Sequence, residues 1–173
     1  VFEKITLIED IKFNVSYFDS VCSMNVLNTT PYHYLKRIDG SLTNKFLPDY
    51  FTLNAERVFL VLEQYKNWGM CTEEVRRILA NIYVRYLFSA LQRNCDKRSD
   101  MNHAQRKEWL KQQYKTPLCK ELLSAVQANG TLFKCMAKAF CAGNIPLCLM
   151  IARSIFAVKS AFPTVFSTLK QQH

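Results

Sequence analysis

The stretch DYFTLNAERVFLVLEQYKNW, residues 49–68, sets the character of the chain. Its apolar side chains fall at Phe51, Ala55, Val58, Phe59, Leu62 and Tyr65, the three-and-four spacing of one helical face. No glycine or proline interrupts it, and Gly69 follows where a helix ends well on a left-handed residue. Downstream, the same logic repeats. Thr72 is placed to cap a second helix, with Glu73 and Glu74 in its first turn against the helix dipole. That helix runs towards Asn94 through Val75, Leu79, Ile82, Tyr86 and Leu91. DKRSDMN (96–102) is a charged connector, and Asn102 with Gln105 has the spacing of a capping box for a polar helix ending near Lys115. Thr116-Pro117 restarts a helix with proline at its favoured first position, and Asn129-Gly130 and Gly143-Asn144 divide the remainder into short helical hairpins. Two turns about fourteen residues apart are too few and too close to define a repeat protein.

Composition agrees with a packed helical protein. Of 173 residues 49% are hydrophobic and 13% aromatic, enough for a sizeable core, and only four are glycine and five proline. The sequence opens at Val1 without a methionine, as expected of a piece of a longer protein or of a processed chain. The cysteines stand at 22, 71, 95, 119, 135, 141 and 148, with no Cys-x-x-Cys pair. Zinc and redox sites need closely spaced thiolates, so neither is expected. Reduced cysteines packed as small hydrophobes, in a reducing cytosol, are the expectation. Three Asn-x-Ser/Thr sequons, at Asn14, Asn28 and Asn129, do not outweigh unpaired cysteines and the lack of a signal peptide.

The net charge of +9 is unevenly placed. Residues 1–45 balance five basic against five acidic residues, whereas 46–173 hold eighteen basic and nine acidic. After Glu121 no acid occurs, while Lys134, Lys138, Arg153, Lys159 and Lys170 remain. The two parts are expected to meet different environments.

The balanced front section carries the chemistry. ITLIEDIKFNVSYFDSVCSMNVLN (5–28) contains a short helical stripe, Ile11, Val15 and Phe18 with Phe13 and Tyr17 beside them, beginning near Glu9. SMNVLN (23–28) reads as a short strand, and YHYLKR (32–37), opened by Pro31, as a second. IDGSLTNK (38–45) is polar loop with a turn at Asp39-Gly40. The section is mixed α/β and too small to fold alone.

The order LIEDIKFNVSYFDS … PYHYLKRIDGSLTNKF resembles the closing segment of the catalytic domain in bacterial family 2 glycosyltransferases. There a Glu-Asp pair opens a helix, and a Tyr-x-Tyr-x-x-Arg strand leads into a Gly-Ser-rich loop. The likeness covers about 45 residues with co-linear spacing. It implies that 1–45 is a short α/β remnant of a GT-A catalytic domain; with the helical patterns that follow, the chain is expected to be mainly α, an all-helical C-terminal domain occupying 46–173. It implies that Asp10 is the catalytic base of an inverting transfer, taking the proton of the attacking sugar hydroxyl. A helix N-terminus suits that role, because its dipole and free N–H groups favour an ionised carboxylate. Glu9 would orient the site or meet acceptor hydroxyls, and Arg37 and Ser41 would approach the donor pyrophosphate. The bland alternative is that Glu9 and Asp10 merely begin a helix and Arg37 is a surface charge.

The Asp-x-Asp motif and the N-terminal βαβ nucleotide fold of such enzymes do not occur in these residues. The resemblance therefore implies that a divalent metal, Mg or Mn, and the nucleotide-sugar donor are bound by the parent enzyme, and that this piece alone is inactive. No cofactor is expected in the piece itself. His33, His103 and His173 are too scattered for a metal site. The parent's acceptor would be a glycan or lipid-linked acceptor in cell-surface polysaccharide synthesis.

IPLCLMIARSIFAVKSAFPTVF (145–166) is apolar, but Arg153 and Lys159 near its middle each oppose insertion by roughly 2.5–3.5 kcal/mol. Its longest wholly apolar run is eight residues, so a buried or interfacial helix is expected rather than a membrane span. The acid-free end, 122–173, suits an anionic membrane surface, where each Lys or Arg contributes about 1 kcal/mol. An ordinary helical core with a solvated basic rim fits equally well. Nucleic acid is not an expected partner, since no recognised motif occurs and the lysines are not clustered with aromatics. The location implied is cytoplasmic, peripheral to the inner face of the membrane. The rival to the transferase is a non-enzymatic helical interaction module that binds a protein or an anionic membrane.

Overall fold

A computed structural model describes residues 7–29 and 46–162. Seven helices are formed among the described residues: α1 (Glu9–Phe18), α2 (Tyr50–Asn67), α3 (Glu73–Arg93), α4 (His103–Lys115), α5 (Pro117–Leu123), α6 (Thr131–Cys141) and α7 (Ile145–Ala161). No strand occurs among them, and the chain is mainly α, as expected.

α3 is the axis of the fold, and α2, α5, α6 and α7 pack around it. Its buried apolar side chains are Leu79, Ala80, Tyr83, Val84, Leu87, Phe88, Ala90 and Leu91. They form two adjacent stripes, wider than the face of an ordinary surface helix. Of the expected stripe, Leu79 and Leu91 are in the core, while Val75, Ile82 and Tyr86 lie at the margin of this face, half-buried against it. α2 covers one side with Phe51, Val58 and Leu62, α6 supplies Met136 and Phe140, and α7 supplies Cys148, Leu149 and Ala152. Phe51 joins three helices, its ring meeting Tyr83 of α3 at 5.5 Å and Trp109 of α4 at 5.3 Å, both edge-on.

Local signals end and start the helices where expected. Gly69 closes α2 at φ 66°: its N–H donates to the Lys66 carbonyl and the Met70 N–H to the Tyr65 carbonyl, both at 2.9 Å. Gly143 closes α6 with the same pair of bonds. The hydroxyl of Thr72 accepts the Val75 N–H, and Asn102 with Gln105 forms the reciprocal capping box. Thr116 caps α5 by accepting the Cys119 N–H, ahead of Pro117.

Polar clamps fix how the helices meet. Lys66 of α2 pairs with Glu121 of α5 at 2.8 Å, and Arg76 of α3 approaches the same carboxylate at 3.4 Å. The bond to Glu121, with one to Glu63, raises the Lys66 ammonium above the usual lysine range. The Tyr114 hydroxyl of α4 donates to the Phe140 carbonyl of α6 at 2.7 Å, beneath stacked rings 4.7 Å apart.

Several expectations are corrected. The short strand over 23–28 is not formed: the stretch is irregular, with Met24, Val26 and Leu27 exposed. A strand needs a neighbouring edge for its alternate N–H and C=O groups, and none lies among the described residues. The second strand, 32–37, and the loop 38–45 lie outside the described residues. Phe59 is 48% exposed, because the buried apolar row of α2 runs through Phe51, Val58 and Leu62 and Phe59 lies to one side of it. In the basic end, Met136, Phe140 and Leu149 are buried in the core. Phe133 packs beneath the Arg85 guanidinium at 4.7 Å, and Lys159 bonds to the Gln92 side chain. No helix among the described residues is long and apolar enough to cross a membrane.

If α3 is the axis, Leu87→Ala removes a fully buried side chain and should cost about 2–5 kcal/mol in denaturant unfolding. Phe59→Ala, which truncates a larger but exposed side chain, should cost less than about 1 kcal/mol. Equal losses for the two would contradict this placement of the core.

Candidate functional site

The Glu9-Asp10 pair opens α1, in its first turn. The residue before it, Ile8, is fully buried and anchors the start of the helix, while both carboxylates are exposed. No side chain caps this end, so N–H groups of the first turn lack a helical partner. One of them is engaged locally: the Ile11 N–H donates to Asp10 Oδ1 at 2.8 Å. The exposed pair is thus held at the positive end of a helix dipole, where negative charge is favoured.

α1 buries none of its own side chains completely and owes its position to α2. Ile11 and Val15 are half-buried, and Ile11 borders a groove formed with Val58 and Val61 of α2 and Leu79 and Ile82 of α3. Lys12 reaches Glu56 of α2 at 2.8 Å. Both partners of that pair are about a third exposed, so its contribution is at most about 1 kcal/mol. The stronger constraint is Gln64, a buried amide on α2 whose Nε2 donates to the Val15 carbonyl at 2.9 Å. Val15 carries one of the last four carbonyls of α1, which have no partner within the helix. Gln64 therefore caps α1 from outside and sets its register on α2.

Gln64 was not legible as a site-positioning residue. The available signal is a polar residue beside Leu62 and Tyr65 on an otherwise apolar helix, which equally marks a solvated edge. Arg37 and Ser41 lie outside the described residues. Among the described residues no three His, Cys, Asp or Glu side chains come together as metal ligands.

The cysteines divide. Cys119 and Cys148 are buried, and desolvation pushes both thiols up to about 11, so they stay protonated and unreactive at neutral pH. Cys71 and Cys95 are half-buried, while Cys22, Cys135 and Cys141 are exposed. Packing as small hydrophobes thus holds for the first two and not for the last three.

Comparison with protein-family models, with curated proteins and with solved structures finds no match to this chain.

Gln64→Ala should free α1 without unfolding the rest. Amide exchange in residues 9–18 should accelerate, with a global loss of about 1 kcal/mol, as for one hydrogen bond. Unchanged protection of α1 would mean that the apolar contacts of Ile11 and Val15 alone hold it.

Proposed function

We propose that the chain is the C-terminal part of an inverting family 2-like glycosyltransferase, which moves a sugar from a nucleotide-sugar donor to a glycan or lipid-linked acceptor. The observation that carries this is the co-linear string from Glu9-Asp10 to Gly40-Ser41, with the acid pair exposed in the first turn of α1. A second feature supports it. Phe13 and Tyr17 stack at 5.8 Å on the exposed side of α1, and Met24, Val26 and Leu27 follow, also exposed. Apolar surface gathered in this way over residues 13–27 suits a segment that completes a larger domain.

In this proposal Asp10 takes the proton of the acceptor hydroxyl as that oxygen attacks the sugar. Glu9 orients the acceptor through its hydroxyls. Arg37, with Ser41, meets the donor pyrophosphate, whose oxygens match a guanidinium fork. The divalent metal and most of the donor site belong to upstream residues of the parent, and the helices from α2 onwards act as the support on which α1 is seated. The proposed location is the cytoplasmic side, peripheral to the membrane.

Asp10→Asn in the full-length parent should leave folding intact and lower turnover by about a hundredfold or more. Near-normal sugar transfer by that variant removes Asp10 from the chemistry.

Arg37→Ala should raise the donor KM more than it lowers saturated turnover, because a contact to pyrophosphate acts in ground and transition states alike. An unchanged donor KM would return Arg37 to the solvated surface.

A further inference from the structure

The end of α3, the start of α4 and the first half of α7 enclose a cavity of about 340 Å³. It plays no part in the proposal above and does not depend on it. Arg106, Lys107 and Arg153 line it, with His103, and none of its lining residues is acidic. The carboxylates of the preceding connector do not neutralise it. Neither Asp96 nor Asp100 lines the cavity, and Asp96 is held by both ends of the Arg98 guanidinium at 3.0 and 2.8 Å.

Two further observations concern the arginines. Arg106 and Arg153, from different helices, line the same cavity as Cys95, whose thiol is pushed up by burial while both guanidiniums act against that rise. The Arg106 Nε–H is buried and has no hydrogen-bond partner among the described residues. Buried donors are ordinarily satisfied, so this orphan marks a guanidinium whose hydrogen bonding the described residues leave incomplete. Helix ends do not reverse the sign. The first turns of α4 and α7 border the cavity, and the opposing C-terminal end of α3 amounts to about half an elementary charge against three formal positive ones.

The floor is different in kind. Leu91, Leu149 and Ala152 are buried apolar residues of the core that also line the cavity. A water occupies about 30 Å³ of liquid, so the space holds roughly ten waters' volume, more than one phosphate needs. We propose that this cavity binds a phosphate or pyrophosphate ester with an apolar substituent, its oxygens held by Arg106, Arg153, Lys107 and His103 and its apolar part on Leu91, Leu149 and Ala152. Two guanidiniums suit phosphoryl oxygens because each presents paired N–H donors in a fixed plane. The same chemistry is offered by a soluble ester and by a lipid headgroup.

The test uses the whole chain at fixed ionic strength, with calorimetric titration of hexyl phosphate and co-sedimentation with phosphatidylcholine vesicles with and without phosphatidic acid. Arg153 is exposed, so Arg153→Gln should fold as the parent chain does by circular dichroism; Arg106→Gln is its companion. Saturable binding of hexyl phosphate, weakened by about tenfold in each variant and unchanged in Lys134→Gln and Lys138→Gln, would establish a site for a soluble ester. Recruitment by phosphatidic acid vesicles alone, lost in Arg153→Gln and kept in the two lysine variants, would establish the lipid headgroup as the source. Absence of binding in both experiments overturns the proposal. So does equal weakening in all four variants, which would mean diffuse attraction to a basic surface.

Discussion

The burial of α3 is the constraint on which the rest of the structure depends. Its two adjacent apolar stripes, Leu79, Tyr83 and Leu87 on one and Ala80, Val84, Phe88 and Leu91 on the other, cannot be covered by a single neighbouring helix. Each large side chain fully removed from water contributes about 1.5–3 kcal/mol, so the helix is driven to collect partners on several sides. α2 and α7, both long, cover much of it, and the short α5 and α6 close the remainder. A seven-residue helix such as α5 is not stable by propensity, and its existence follows from what Cys119 and Leu122 bury.

The position of the acid pair is inherited from this arrangement in two steps. α2 is set by its packing on α3 and by the Lys66–Glu121 clamp to α5. α1 is then set on α2 by Gln64, by the half-buried Ile11 and Val15, and by the weaker Lys12–Glu56 pair. A helix of ten residues with no completely buried side chain of its own takes its register from such contacts and from the buried Ile8 that precedes it. Glu9 and Asp10 are therefore oriented by a buried amide more than fifty residues later in the chain.

The cationic cavity arises from the same packing. Arg106 belongs to a polar helix and Arg153 to an apolar one, where its charge opposes membrane insertion. They meet because α4 and α7 both lean on the far end of the core, where Leu91 and Leu149 are buried. The C-terminal half thus gathers part of its basic excess at one cavity. Its large apolar residues Met136, Phe140 and Leu149 have gone inward.

What the amino-acid order determined by itself is local. Helix starts at Thr72, Asn102 and Thr116 and stops at Gly69 and Gly143 follow from hydrogen bonds spanning three to five residues, so the residues that make them suffice to place them. The opening of α1 at Glu9 was legible for the same reason. Tertiary structure decided the rest. Periodicity shows that a helix has an apolar face but not how wide a face its neighbours will cover, so Tyr83, Val84 and Phe88 were missed and Phe59 was assigned inward. It likewise gave no ground to separate the buried amide of Gln64 from a solvated one, or to bring Arg106 beside Arg153. Those facts depend on which surfaces meet, and a surface's partner is settled by the competition among all apolar faces for burial.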